Sequence, residues 1–162
     1  MKSIKIFFVL VFSIFLFSKV NAQTTPELNK EILKYVKSVE GKKVDRGECW
    51  DLANQALKLI NADWDKAFVY GDKLDPMKDE IFPGDLIQFD NIKIQYTEGN
   101  ATYTETMGQH TAIVYKVLEK GVFEIAHQNT GFSGRKVGVS TLNINYIVKG
   151  KIFFYRPTLK RK

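Results

Sequence analysis

The 162-residue chain is poor in the residues that most small catalytic or metal-binding domains depend on: it has one cysteine, two histidines and four prolines. A single cysteine forbids an internal disulfide and excludes cysteine-rich zinc modules and iron–sulfur clusters. No Walker-type phosphate loop, dinucleotide-binding glycine fingerprint or paired metalloprotease histidines occur. There is no internal repeat, low-complexity segment or linker, so nothing divides the chain into two domains. What is present suits one folded unit: 44% hydrophobic residues and 13% aromatics can build a real core, which excludes general disorder.

The N-terminus reads as an export signal. Lys2 and Lys5 precede an apolar run from Ile6 to Phe17, and Lys19 leads into Val20-Asn21-Ala22, a small-residue cleavage pattern. Twelve helical residues rise only about 18 Å, too short for a bilayer core of roughly 30 Å. The expectation is a signal peptide over 1–22, a single domain over 23–162, a secreted or periplasmic location and no stable membrane insertion after cleavage. Losing Lys2, Lys5 and Lys19 leaves 21 basic against 18 acidic residues, a net charge of +3 that the tail Lys160-Arg161-Lys162 supplies. With no basic stripe interleaved with aromatics, nucleic acid is not the expected partner.

Helices come first and strands follow. Thr25-Pro26-Glu27 is a helix start, Leu28, Ile32, Tyr35, Val36 and Val39 repeat at helical spacing, and Gly41 ends the run. A second helix is expected from Glu48 to Asn61, with Cys49, Leu52, Ala53, Ala56, Leu57 and Ile60 inward and Asp51, Asn54, Gln55 and Lys58 outside. From Leu86 the period becomes two. Strands are expected at 86–89, 92–96, 102–106, 110–117, 122–128 and 147–155, with Glu98-Gly99-Asn100 as a hairpin turn. This order predicts an α+β fold, N-terminal helices packed on an antiparallel sheet of five to six strands.

The chemistry concentrates on the only thiol and the only two imidazoles. Cys49 opens a helix, where unpaired N–H groups and the partial positive charge stabilise a thiolate over a thiol. His110 begins a strand and His127 ends the next, with Asn129 two residues on; alternation puts Phe123, Ile125, His127 and Asn129 on one face. A helix-borne Cys, a strand-borne His and a polar residue that orients it are the nucleophile, base and orienter of covalent acyl transfer. Cys49 also lies on the apolar stripe of its helix, where a free Cys can serve as a small hydrophobe. Cys and His are zinc ligands too, but no close ligand pair is present, so neither a metal nor a cofactor is expected.

Four motifs in order, Gly47-Glu48-Cys49-Trp50-Asp51-Leu52-Ala53, Pro83-Gly84-Asp85-Leu86-Ile87-Gln88-Phe89, His110-Thr111-Ala112-Ile113-Val114-Tyr115 and Glu124-Ile125-Ala126-His127-Gln128-Asn129, resemble the papain-like superfamily of cell-wall enzymes. The resemblance is closest to the CHAP amidase/endopeptidase group and its NlpC/P60 relatives, and covers about Lys42 to Asn129. It implies a papain-like fold with Cys49 as nucleophile, His110 as general base, and His127 or Asn129 as the orienting residue. It further implies peptidoglycan or a peptide as substrate, with hydrolysis or transfer of the acyl group as the reaction, by a monomer. The alternative is a catalytically silent domain of the same fold that binds wall fragments or a protein partner.

Overall fold

A computed structural model describes residues 25–160; the expected signal peptide lies outside the described residues. The chain begins with two helices, α1 (Glu27–Val39) and α2 (Cys49–Leu59). Eight strands follow: β1 (Ala62–Asp63), β2 (Asp72–Leu74), β3 (Leu86–Glu98), β4 (Ala101–Glu119), β5 (Val122–His127), β6 (Gly138–Asn143), β7 (Ile147–Arg156) and β8 (Thr158–Leu159). A short 3-10 turn, Ile144–Tyr146, joins β6 to β7.

Six strands form one sheet in the order β2-β7-β3-β4-β5-β6, antiparallel throughout, and β1 pairs with β8 in a separate two-stranded ribbon. The α+β order and the size of the main sheet agree with the sequence. The β1–β8 ribbon, β2 and β6 were not expected: β1, β2 and β8 are only two or three residues each, too short to carry a period.

Side-chain alternation divides the core in two. Leu86, Ile113, Ala126 and Tyr155 face α1 and α2, where Ile32, Val36, Leu52, Ala53, Ala56 and Leu57 complete one cluster. Ile87, Phe89, Val114, Phe123, Ile125 and Phe154 point the other way into a second cluster. His110 and His127 share parity with Val114 and Ile125, so they belong to the second face.

Two helical expectations are corrected. Thr25 makes no capping hydrogen bond, and Pro26 itself stands at the cap of α1. On α2, Asp51 and Asn54 are buried rather than solvated. Asp51 is 0% exposed because it ties the helix start to the loop before it: it accepts the Glu48 N–H at 3.0 Å and pairs with Arg46 at 2.8 Å.

The predicted strands merge, so β3 and β4 run as one long hairpin whose pairing extends from Leu86↔Ile113 to Glu98↔Ala101. A register irregularity at Asn91, which has a φ of 50°, lets the pattern continue across it. There β7 passes close to β3 through Gly150, where any Cβ would run into the Asn91 carbonyl.

The turn Pro83-Gly84-Asp85 docks α1 on the sheet. Gly84 lies directly against the Asn29 backbone, and its N–H donates to the Val114 carbonyl. Asp85 is 0% exposed and accepts from Asn29 Nδ2 at 2.7 Å, the Phe82 N–H at 2.8 Å and Arg156 Nη2 at 2.9 Å. Burial pushes its carboxyl up, while Arg156, Phe82 and Asn29 hold it down. This buried ion pair joins α1, the turn and β7.

Candidate active site

The loop before Cys49 is held from three sides. Asp51 grips Arg46 and Glu48, as above. Gln128, just after β5, donates to the carbonyls of Val44 at 3.0 Å and Glu48 at 2.7 Å, and accepts from the Val44 N–H at 3.2 Å. Glu48 in turn accepts from Asn129 Nδ2 at 3.0 Å and pairs with Arg135 at 3.3 Å. These contacts fix the N-terminus of α2 against the end of the strand that carries His127.

Cys49 belongs to neither core cluster. It is half-buried and lines a cavity of about 720 Å³ together with His110, His127, Asn129 and Ser140. Its thiol lies 4.0 Å from the Gln109 carbonyl and makes no hydrogen bond to His110. The Cys49 N–H, at the first turn of α2, has no partner among the described residues.

The two imidazoles form a relay. His110 Nε2 lies 2.9 Å from His127 Nδ1, and His127 Nε2 lies 2.9 Å from Ser140 Oγ. Their rings meet edge to face with centroids 5.2 Å apart, and Phe89 and Phe132 pack against them. His110 is 7% and His127 4% exposed. Burial lowers His110 to about 4; burial, then the neighbouring His110, lowers His127 to about 3. Both rings are therefore neutral at pH 7.

Of the four candidates, Cys49, His110 and His127 are brought together as expected. Asn129 lines the same cavity without a hydrogen bond to His110. It lies past the end of β5 with a φ of 61°, a left-handed conformation that Asn tolerates, and its amide engages Glu48 instead of His110. Ser140 and Gln128 were missed. Ser140 sits on β6, and the Val139-Ser140-Thr141-Leu142 run between turn residues was its one available signal. Gln128 is visible only as a polar residue at a strand end that must satisfy its amide when buried.

A further buried network stands behind β4. The Tyr70 hydroxyl reaches Gln88 Oε1 and Thr111 Oγ1, both at 3.1 Å, and Gln88 Nε2 donates to Gln109 Oε1 at 3.0 Å. Burial pushes Tyr70 up to about 12, so its hydroxyl remains a donor. Among the described residues, no group of three or more His, Cys, Asp or Glu is placed to hold a metal ion, and no helix is long and apolar enough to cross a membrane.

Comparison with known proteins bears on the fold. A family model described as the AIM3/BBC1 cysteine proteinase-fold domain matches residues 22–161. The chain belongs to this family. A cysteine proteinase fold, the coarser part of what the four motifs imply, is thereby established. A search of curated proteins found no match. Among solved structures, the crystal structure of Ly7917 is 16% identical with a TM-score of 0.48, covering 82% of this chain and 62% of that one. Ly7917 with the hydrolyzing product of MDP is 18% identical with a TM-score of 0.47, covering 80% and 63%. The chain thus spans less than two thirds of the length of those structures.

Proposed function

We propose that this domain is a cysteine hydrolase of amide bonds, with Cys49 as nucleophile, His110 as general base and His127 as the residue that orients it. The observation that carries the reading is the convergence of the only thiol and the only two imidazoles in one cavity at the start of α2.

The relay works in one protonation pattern. With a proton on His110 Nε2 donated to His127 Nδ1, and one on His127 Nε2 donated to Ser140, His110 Nδ1 keeps a free lone pair. Burial keeps His110 neutral, so this lone pair is available to take the Cys49 proton. The sulfur attacks the amide carbonyl carbon, and the Cys49 N–H is free to bind the oxyanion. His110 then gives its proton to the leaving amine, and water cleaves the thioester to acid and free thiol. A second imidazole fixes the His110 tautomer and shares the developing charge, but less strongly than a carboxylate would.

The proposal includes export through the signal-like segment 1–22 and, as substrate, an amide of peptidoglycan, either within the stem peptide or joining peptide to sugar; the four ordered motifs that resemble CHAP and NlpC/P60 enzymes support it. Mass spectrometry of wall sacculi digested with the mature chain tests this. New fragments that vanish with Cys49→Ala are the expected result; identical profiles would remove peptidoglycan as substrate. One observation favours a second reading, a silent binding domain: the thiol contacts the Gln109 carbonyl rather than His110.

A further inference from the structure

β4 has β3 alongside it from Ala101 to Ile113, and β5 alongside it only from Ile113 to Glu119. Among the described residues, the stretch from Ala101 to Gln109 therefore has one edge without a strand partner. Sheet edges are ordinarily kept short or defended with lysine or proline, because an unpaired row of N–H and C=O groups is a template for another strand. The outer strand β2 follows that rule at three residues long. The bare half of β4, Ala-Thr-Tyr-Thr-Glu-Thr-Met-Gly-Gln, contains neither residue.

The edge leads to the candidate nucleophile. It ends at Gln109, whose carbonyl lies 4.0 Å from the Cys49 sulfur. Glu105 to Gln109 form one wall of the cavity that holds Cys49, His110 and His127. Phe132 lines the same cavity, 59% exposed although its ring packs on His127 at 5.5 Å. Among the described residues, Glu105 is the only charged side chain lining this cavity. A strand added here at about 3.3 Å per residue would run roughly 23 Å from Thr102 to Gln109, room for about eight substrate residues.

We propose that an extended peptide segment of the substrate binds by pairing its main chain with the free edge of β4 over Thr102–Gln109, with a cationic side chain beside Glu105 and the scissile amide delivered to Cys49. The inference rests on the cysteine-hydrolase reading for its last clause. Main-chain pairing gives affinity and alternate side chains give selectivity, as in other strand-addition complexes. The edge ends beside Cys49 and walls its cavity, which is why the occupant is assigned as substrate rather than a second copy of this chain.

The test uses the full chain carrying Cys49→Ala and fluorescein-labelled alanine-based octapeptides of L-residues with Lys at each position in turn. Binding is followed by polarisation, and hydrogen exchange by mass spectrometry. The expected result is slowed exchange within 102–109 on peptide binding. Binding should also weaken on the order of tenfold when alternate peptide amides are N-methylated, and several-fold in Glu105→Lys. Protection elsewhere, N-methylated peptides bound equally well, no binding at millimolar peptide, or protection of 102–109 that grows with protein concentration alone would each overturn it. The hydrolase reading is scored separately by alkylation of wild-type Cys49. Peptide on the edge beside an unassisted thiol removes catalysis and keeps the edge site; an assisted thiol with a bare edge does the reverse.

Discussion

The two halves of β4 are one continuous strand in two different environments. From Thr111 to Val114 its residues are buried and it takes both neighbours as partners, β3 up to Ile113 and β5 from Ile113 onward; from Ala101 to Thr106 it is exposed and paired with β3 alone. The change occurs at Gln109-His110, where the candidate site lies. The paired half supplies rigidity and places His110 against His127, while the open half supplies accessible backbone. A site at that junction has a fixed base on one side and an unfilled edge on the other.

The sharpest way to break the paired half is to remove its anchor. Asp85 holds Arg156, Asn29 and Phe82, and the Gly84–Asp85 backbone bonds Val114. Asp85→Ala leaves a largely buried guanidinium uncompensated and should cost about 3–5 kcal/mol in urea unfolding. Thr104→Ala, in the open half, should stay within about 0.5 kcal/mol.

Acid attacks the same half through the imidazoles. The unfolded chain binds protons on His110 and His127 as pH falls below their ordinary 6.5, but the folded chain does not until about 4 and about 3. Their contribution is therefore full above pH 6.5 and is lost as pH falls from 6.5 toward 4. For His110 the shift corresponds to roughly 3 kcal/mol. Unfolding measured from pH 7 to pH 4.5 should show this slope, and His127→Gln should flatten it.

Gln128→Ala removes three hydrogen bonds that hold the Val44–Glu48 loop against β5. It should cost about 1–3 kcal/mol and lower turnover more than it raises KM, because it loosens the approach of Cys49 to the relay. The smallest effect belongs to the open half. Tyr96 stacks on Tyr103 at 5.1 Å and on Tyr146 at 5.6 Å. Tyr96→Ala should cost about 0.5–1.5 kcal/mol and leave the acid slope of the imidazoles unchanged.

The paired half was the legible one. Alternation over His110–Val117 and Val122–Gln128 located both strands and predicted that His110 and His127 would meet, because adjacent strands make neighbours of their ends. The open half was read as a separate hairpin, strands 92–96 and 102–106 around Glu98-Gly99-Asn100: Asn91 and Gly108 are turn residues by type, yet they sit at an irregularity that one longer hairpin absorbs. Asp51 was misplaced for a related reason. A charge near a helix start looks solvated until a partner such as Arg46 makes its burial tolerable, and that pairing is set by tertiary structure. Asn129 turns to Glu48 because one left-handed residue ends the alternation that a sequence pattern assumes.

The central claim is that His110 assists Cys49. It is tested most directly by the rate of Cys49 alkylation with iodoacetamide at neutral pH in the wild-type chain and in His110→Ala, with thermal unfolding to show that both are folded. The account predicts a wild-type rate higher by on the order of a hundredfold, a size typical of positioned acid–base assistance. Equal rates in two folded proteins would contradict it.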